Sequence, residues 1–248
     1  LMKMRLYGLI GYPLKHSFSK RYFAEKFRRE GIDARYDLYE LQRIDDFPEL
    51  VKMPGLCGLN VTIPYKESVI PFLNELDEVA EKIGAVNVIK FLRKNNHLWL
   101  KGYNSDIIGF EKAIIPFLKT FHDKALLLGT GGAAKAISFV LAAHNIKVTH
   151  VSRKPGINKI TYNDLNEELM RDHKLIINAT PLGTYPNLCS CPDIPYEHLT
   201  PQHLLFDVVY NPPKTLFLKK GEEQGATIIN GETMLSGQAE AAWEIWNK

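Results

Sequence analysis

The stretch KALLLGTGGAAKAISFVLAAHNIKVTHVSRK, residues 124–154, combines an apolar run, a glycine-rich turn, a helical pattern and a second apolar run. Short apolar runs bounded by turn residues are typical of buried strands, and the longer alanine-rich segment between them is typical of a helix. The order strand, turn, helix, strand predicts a parallel βαβ unit. This unit decides the fold class, which we expect to be α/β.

The glycine-rich turn GTGGA (129–133) has the composition of a dinucleotide-binding turn. Gly129 would permit the tight turn, and Gly131 would let the backbone approach a pyrophosphate. The start of the following helix would offer N–H groups and a positive dipole end to that anion, and Ala133 and Ala136 would let the helix pack closely on the sheet. An ordinary βα turn can contain such glycines, but the strand–turn–helix–strand context favours a dinucleotide.

The residues that end the second strand, Ser152, Arg153 and Lys154, include no acidic side chain. An NAD site usually has an acid about 20 residues after the glycines, where it binds the ribose 2′-hydroxyl. Arg153 can instead pair with a 2′-phosphate through two hydrogen bonds, and Lys154 adds positive charge. A solvated basic turn is the alternative interpretation. The position favours NADP over NAD.

Composition excludes several classes of protein. The chain has 248 residues, 45% of them hydrophobic, and a formal charge of +3 without a Lys/Arg block, so nucleic acid is not an expected partner. Its three cysteines have poor zinc spacing, and we expect no metal site. The absence of a long apolar run and of a signal-like N-terminus leads us to expect a cytoplasmic protein that does not enter a membrane.

Strand-like and helix-like segments alternate along most of the chain, which predicts two α/β lobes. The first spans residues 1–105 and the second 106–231, and an amphipathic helix over 232–248 is expected to pack back on the first lobe. Two β-rich runs flank Asn95 and Asn96, which predicts a hairpin and an antiparallel edge on a mostly parallel sheet. The remaining predicted strands are residues 5–11, 34–41, 55–63, 174–180, 203–210 and 226–230. Helices are predicted over residues 17–31, with Ser17 as the N-cap and Gly31 as the C-terminal stop, and from about Asp106 to Leu118.

Polar side chains of the first lobe cluster near predicted strand ends. Any one of them alone would more often be structural, because Asn, Asp and Ser favour turns and helix caps. Several that converge on one cleft opposite a dinucleotide site indicate a binding site. They are Ser17 and Ser19, Asn60, Thr62 and Lys66, Asn87, and Asn104 and Asp106.

Eight segments of the chain together resemble the shikimate dehydrogenase family. They are GYPLKHSFS (11–19), NVTIPYK (60–66), GAVN (84–87), GYNSD (102–106), GTGGAAKA (129–136), NATPLG (178–183), DVVYNPPKT (207–215) and GETMLSGQ (231–238). Their order and number make the resemblance far more specific than a single motif. It implies a substrate domain with a mostly parallel sheet, followed by a Rossmann-like NADP-binding domain.

The resemblance also implies NADPH-dependent, reversible reduction of 3-dehydroshikimate to shikimate in aromatic amino acid (chorismate) biosynthesis, by a monomer or homodimer. Lys66 and Asp106 would be the catalytic pair. The implied substrate-binding residues are Ser17, Ser19, Asn60, Thr62, Lys66, Asn87, Asp106, Tyr210 and Gln238. The implied cofactor-binding residues are Gly129, Thr130, Gly131, Gly132, Ala133, Ser152, Arg153, Lys154, Thr180, Leu182, Val208, Gly231 and Met234.

The chemistry of a lysine beside a carboxylate fits such a reaction. An ammonium group stabilises the negative charge that develops on a carbonyl oxygen and can deliver a proton to it. A neighbouring carboxylate favours the charged form of the lysine and orients it. We therefore expect Lys66 to act as the acid in reduction and the base in oxidation, with Asp106 orienting it.

Some positions depart from the family pattern, and two alternatives stay open. Ser105 and Lys154 each stand where the family commonly has threonine, and the loss of that hydroxyl at Lys154 puts strict NADP selectivity in doubt. Quinate is an alternative substrate. A regulatory module that binds NADP without turnover is an alternative of another class.

Overall fold

The computed structural model describes residues 4–14, 17–95 and 97–248. The chain divides into two compact units: the described residues up to Ser105 with Gln238–Lys248, and Asp106–Gly237. The strands are β1 Arg5–Gly11, β2 Ala34–Glu40, β3 Leu56–Val61, β4 Glu75–Leu76, β5 Val88–Lys94, β6 His97–Tyr103, β7 Lys124–Leu128, β8 Lys147–Ser152, β9 Lys159–Thr161, β10 Leu175–Asn178, β11 Leu204–Asp207 and β12 Thr227–Ile229. The α-helices are α1 Phe18–Glu30, α2 Phe47–Leu50, α3 Glu78–Ile83, α4 Asp106–Ile114, α5 Gly132–Ala143, α6 Glu167–Asp172, α7 Leu216–Glu223 and α8 Glu232–Asn247.

The first unit is built on a six-stranded sheet in the order β2-β1-β3-β5-β6-β4. β1 pairs in parallel with β2 and β3, and β4 with β6, whereas β5 is antiparallel to both β3 and β6. Because β1 and β3 run side by side in the same direction, the segments that follow them leave the sheet at the same edge. This edge carries the residues around Ser17 and Thr62.

The second unit is built on a six-stranded sheet in the order β12-β11-β10-β7-β8-β9, and every pair in it is parallel. Counted along the chain within this sheet, the order is 3-2-1-4-5-6, that of doubly wound dinucleotide-binding domains. The central strands are buried on both faces, so their sequences are continuous apolar runs instead of alternating patterns.

An aromatic cluster joins α1, the sheet of the first unit and the end of α8. Trp246 contacts Tyr7 and Phe23 at ring-centroid distances of 4.8 and 5.5 Å, and its indole N–H donates to the carbonyl of Ile89. A Cβ at Gly58 would overlap with the Trp246 ring, so β3 approaches the indole at a glycine. The end of α8 is therefore part of the core of the first unit.

The predicted α/β fold class is confirmed, and the predicted strands and helices differ from the observed ones chiefly at their ends. β1 has the predicted bounds, whereas the helix predicted from Asp106 to Leu118 gives way after Ile114 to a 3₁₀ turn. The predicted hairpin exists as β5 and β6, although Asn96 of its turn lies outside the described residues. It is not the outermost pair, because the short β4 lies beyond β6. Sequence reasoning missed β4, β9 and the short helices α2, α3, α6 and α7.

Candidate functional site

The two serines predicted to bind a carboxylate lie at the start of α1. Ser17 is the N-cap, and its hydroxyl accepts a hydrogen bond from the backbone N–H of Lys20 at 3.4 Å. Ser19 lies two residues further on, is buried, and its hydroxyl donates to the phenol oxygen of Tyr36. Gly31, at φ +62°, ends the helix as predicted. The first turn contains no acidic residue, so the positive end of the helix dipole is not neutralised there.

A buried chain of hydrogen bonds continues from Ser19 into the sheet. The Tyr36 hydroxyl donates to Asn60 Oδ1 at 2.8 Å, and Asn60 Nδ2 donates to the Asn87 carbonyl at 3.3 Å. Burial raises the pKa of the Tyr36 phenol, which therefore stays a neutral donor. The amide of Asn60 is thus held at both ends, which fixes its orientation at the carboxyl end of β3.

The Asn87 side chain extends this chain to the segment that follows β6. The backbone N–H of Ser105 donates to Asn87 Oδ1 at 2.6 Å, and Asn87 Nδ2 donates to the Ser105 hydroxyl at 3.0 Å. Asn104 Nδ2 donates to the Ala85 carbonyl at 3.0 Å. These bonds tie the GAVN and GYNSD segments together immediately before Asp106. Ser105 keeps the hydroxyl that the family's usual threonine has, and this hydroxyl is hydrogen-bonded to the Asn87 amide.

Thr62 and Lys66 follow β3 at the same edge of the first sheet. The Thr62 backbone N–H donates to the Ile10 carbonyl at 2.9 Å, and a Cβ at Gly11 would lie 2.5 Å from the Thr62 methyl group. The Lys66 carbonyl accepts from the N–H of Val86 at 2.7 Å, which anchors the loop against the GAVN segment. The Lys66 side chain is half-buried. Asp106 begins α4 in the second unit and is buried.

The glycine turn of the second unit has a shape that fits a dinucleotide. Gly129 has φ +106°, a conformation that favours glycine, and a Cβ there would lie 3.1 Å from the Ala179 carbonyl oxygen. Gly131 is the N-cap of α5, where no described side chain caps the helix and a Cβ would meet nothing within 4 Å. The first N–H groups of this twelve-residue helix therefore have no capping side chain among the described residues. That arrangement suits a pyrophosphate. Thr130 is exposed in this turn, and Gly132 and Ala133 begin the helix.

The tight packing of α5 on the sheet rests on Ala134 and Ala136, which are fully buried. The sequence predicts this role for Ala133 and Ala136, but Ala133 is only half-buried. Because Ala133 lies in the first turn, its backbone N–H is among the donors that have no acceptor within the helix.

A tight turn at the end of β8 presents the predicted 2′-phosphate residues. The Ser152 hydroxyl donates to the Lys154 carbonyl at 2.6 Å and accepts from the Lys154 N–H at 3.1 Å. Arg153 and Lys154 are exposed at this turn, beside the strand that precedes the glycines. Arg153 lies near Tyr162, since its positive charge counteracts the rise that burial causes in the pKa of that phenol. Ser152 therefore shapes the turn that carries the two cations.

The remaining predicted cofactor residues lie after β10 and β11 and at the start of α8. Thr180 is held by Asn178, whose Oδ1 accepts from the Thr180 N–H and hydroxyl at 3.0 and 2.6 Å. Leu182 is exposed and its N–H donates to the Thr180 hydroxyl at 3.3 Å. The backbone at Gly231 packs on Val208, because a Cβ at Gly231 would overlap with the Val208 carbonyl oxygen.

Three further predicted residues occupy separate places. Met234 is buried in the core of the second unit, Tyr210 is half-buried in the segment after β11, and Gln238 is buried at the point where α8 enters the first unit.

Sequence reasoning assigned no role to four residues that hold the site. Tyr36 and Ser105 complete the hydrogen-bond chain of the first unit, and Asn178 and Asp207 do so in the second. Asn178 and Asp207 lie within NATPLG and DVVYNPPKT, so a polar residue that ends an apolar strand was the available signal. Tyr36 gave no signal, because a tyrosine in a strand is typical of a core position.

Two structural features bear on the expected class of protein. Among the described residues, no cluster of three His, Cys, Asp or Glu side chains could hold a metal ion. No helix of the described ranges is long and apolar enough to cross a bilayer.

Comparison with known proteins gives one consistent result. The sequence profile described as the shikimate dehydrogenase substrate binding domain matches residues 9–89. A shikimate dehydrogenase (NADP(+)) of Methanosphaera stadtmanae is 34% identical over 263 residues, covering 98% of this chain and 92% of that protein. One of Geobacillus kaustophilus is 37% identical over 259 residues, with the same coverage of 98% and 92%.

A solved structure agrees with the sequence relatives. The shikimate 5-dehydrogenase of Thermus thermophilus, determined in complex with NADP(H) and shikimate, superimposes with a TM-score of 0.85 at 27% identity and covers 98% of this chain and 93% of that one. The identity to the curated relatives extends over both compact units, and the chain belongs to the shikimate dehydrogenase family.

Proposed function

We propose that this protein is an NADP-dependent oxidoreductase that interconverts 3-dehydroshikimate and shikimate, a step of aromatic amino acid biosynthesis. The observation that carries the proposal is the identity to NADP-dependent shikimate dehydrogenases over 98% of the chain. That coverage includes both the serine-bearing start of α1 and the glycine turn before α5. We therefore assign the substrate site to the start of α1 and the cofactor site to the glycine turn.

The start of α1 would bind the substrate carboxylate. The hydroxyls of Ser17 and Ser19 and the free dipole end of the helix favour an anion. Ser19 has one hydroxyl proton, so it would turn that proton from the Tyr36 oxygen to the carboxylate when the substrate binds. Tyr210 of the second unit would contact the same carboxylate.

The substrate hydroxyls would be bound by the amides and hydroxyls at the sheet edge. Asn60 and Asn87 have fixed orientations because their amide groups are hydrogen-bonded within the first unit. Together with Thr62 and Gln238 they would recognise the positions of the substrate hydroxyls. A site of this kind rejects an analogue that lacks a hydroxyl, because its own polar groups would then be left unpaired.

Lys66 would donate the proton to the carbonyl oxygen during reduction and remove it from the hydroxyl during oxidation. Its ammonium would also stabilise the negative charge that develops on that oxygen. Asp106 would hold the lysine in its charged form and bind a substrate hydroxyl. NADPH, when bound, supplies the hydride that reduces the carbonyl carbon.

The second unit would bind the cofactor through the residues from Gly129 to Ala133, with the N-terminus of α5 directed at the pyrophosphate. Arg153 and Lys154 would bind the 2′-phosphate on the turn that Ser152 shapes. Thr180, Leu182, Val208, Gly231 and Met234 would lie on the nicotinamide side.

One set of assays tests the proposal and separates its alternatives. NADPH absorbance is followed with the purified protein, first with shikimate and NADP, then with quinate in place of shikimate and with NAD in place of NADP. We expect the highest kcat/KM for shikimate with NADP. A higher value for quinate would make the protein a quinate dehydrogenase, and no turnover with any pair would favour a binding module.

A further inference from the structure

Asp207 lies at the end of β11, is fully buried, and accepts three hydrogen bonds. Its Oδ1 accepts from Asn178 Nδ2 at 3.1 Å and from the Val209 N–H at 3.0 Å, and its Oδ2 accepts from the Thr215 hydroxyl at 2.6 Å. Thr215 is in turn the N-cap of α7. The carboxylate therefore connects the end of β10, the segment after β11 and the start of α7.

The bond to Asn178 carries the influence of Asp207 to the segment after β10. Asn178 is fully buried, so its amide cannot turn to water if a partner is lost. With Nδ2 directed at Asp207, Oδ1 is directed at both donors of Thr180. An asparagine whose Nδ2 had no acceptor could flip its amide, and the Thr180 N–H would then lose its acceptor.

The segments after β10 and β11 also contact each other directly. The Tyr185 N–H donates to the Asn211 carbonyl at 3.2 Å, and a Cβ at Gly183 would lie 3.3 Å from that of Thr215. The backbone of Gly231 donates to the Val209 carbonyl at 3.1 Å. Asp207 is thus bonded to the segments that contain Thr180 and Val208, and Gly231 is joined to them through Val209.

Keeping the Asp207 carboxylate charged in this buried position costs free energy. Burial raises the pKa of the Asp207 carboxyl to about 6, although three hydrogen bonds act to lower it. An uncharged residue of similar volume would avoid that penalty. An asparagine would keep one acceptor oxygen for Asn178 and Val209, and would present its N–H group to the Thr215 hydroxyl, which can accept it. The geometry therefore requires an acceptor at the oxygen that faces Asn178 and Val209.

We propose that Asp207 is a positioning residue for the nicotinamide half of the cofactor, acting through Asn178 and the segment after β11. The proposal rests on the proposed function, since it places Thr180, Leu182 and Val208 on the nicotinamide side. Asp207 itself is fully buried and would act on the cofactor through other residues, so it is not a catalytic residue.

The test compares two ligands that differ in the nicotinamide riboside. NADP and 2′-phospho-ADP-ribose share the adenosine, the 2′-phosphate and the pyrophosphate, and only NADP reaches the segments that Asp207 holds. Their dissociation constants are measured by calorimetry for the wild type, Asp207→Ala, Asp207→Asn and Asn178→Ala. Asp207→Ala should weaken NADP by about tenfold, the effect of one lost buried hydrogen-bond partner, and the fragment by less than about twofold.

Two variants define the specificity of the effect. Asn178→Ala breaks the connection to Thr180 and leaves the bonds from Val209 and Thr215 to Asp207, so it should also weaken NADP selectively. Asp207→Asn keeps an acceptor for Asn178 and Val209, so it should restore most of the affinity that alanine loses. If Asp207→Ala does not fold, Asn178→Ala and Asp207→Asn test the positioning role in its place.

His203→Gln is the matched control for a loss of stability alone. His203 is buried immediately before β11, at the opposite end of the same strand, and contacts Thr200 and the Met170 carbonyl. It should lower the thermal midpoint and leave the affinity for both ligands unchanged.

The outcomes separate this proposal from the proposed function. Equal weakening of NADP and the fragment by Asp207→Ala and Asn178→Ala, or no weakening of either ligand, would overturn the positioning role. A wild type that binds NADP but turns over no shikimate would overturn the proposed function, while the selectivity of the variants would still support the positioning role. A wild type that binds neither ligand would overturn both.

Discussion

Replacing Tyr36 with phenylalanine removes one hydroxyl from the centre of the hydrogen-bond chain in the first unit. That hydroxyl donates to Asn60 Oδ1 at 2.8 Å and accepts from Ser19. The ring stacks on Phe23 with centroids 4.6 Å apart, a contact that phenylalanine would keep. The substitution therefore isolates the hydrogen bonds from the packing.

The size of the stability loss in Tyr36→Phe follows from the burial of Asn60. Loss of the donor leaves a buried amide oxygen unpaired, which costs about 1–3 kcal/mol, and retention of the ring means that no cavity term is added. We expect the free energy of unfolding of the first unit to fall by about 1–2 kcal/mol. Because Asn60 would lose its fixed orientation, the KM for shikimate should rise about threefold to tenfold, while the KM for NADP stays unchanged.

Urea unfolding followed by tryptophan fluorescence measures this loss in the first unit. The chain has three tryptophans, Trp99, Trp243 and Trp246, and all of them belong to the first unit. Tyr39→Phe is the matched control, because Tyr39 lies on the same strand and, among the described residues, its hydroxyl contacts the Met53 sulfur at 3.5 Å. If Tyr36→Phe costs no more than Tyr39→Phe, or raises both KM values equally, the hydrogen-bond chain does not have the role we assign to it.

Three further substitutions make independent predictions. Lys66→Met should lower kcat for shikimate oxidation by at least about 100-fold without changing NADP affinity in calorimetry, and near-normal turnover would contradict its acid–base role. Arg153→Gln should lower kcat/KM with NADP by about tenfold or more and leave kcat/KM with NAD within about twofold, whereas an equal loss with both would exclude a 2′-phosphate contact. For Asp207→Asn the prediction concerns pH. The folded pKa of Asp207 is raised to about 6 from an ordinary 3.8, so the stability it contributes is fully present below 3.8 and lost as the pH rises through 6. The neighbouring Tyr196 stays neutral in this range, because burial raises its pKa. The difference in unfolding free energy between wild type and Asp207→Asn should therefore shift by about 1 kcal/mol in favour of the wild type between pH 7.5 and pH 5, and a constant difference would refute the raised pKa.

Local patterns carried most of the fold prediction. The βαβ unit from Lys124 to Ser152 was predicted correctly because buried strands, a glycine turn and an alanine-rich helix are each encoded within a few residues. The Ser17 cap and the Gly31 stop of α1 were predicted for the same reason. Short elements such as β4 and α6 were missed, since two to six residues leave no periodicity to detect.

The candidate site was predictable only in part. Residues inside recognisable motifs, such as Lys66, Asn87 and Asp106, were named from the sequence, and their catalytic and binding roles remain predictions. The partners that orient them are distant in the chain: Tyr36 is 24 residues from Asn60, and Asn178 is 29 residues from Asp207. Such pairs have no local signal, because the pairing depends on which strands lie side by side.

By itself, the amino-acid sequence determined the α/β class, the glycine turn with a basic residue after the next strand, and membership of a family with a known reaction. Only the tertiary structure decided that Ser19, Tyr36, Asn60, Asn87 and Ser105 form one buried chain of hydrogen bonds, and that Asp207 accepts from three separate segments. The physical reason is that helix and strand patterns arise from neighbours along the chain. A buried polar group must instead find its partner wherever the packed strands bring one within hydrogen-bond distance.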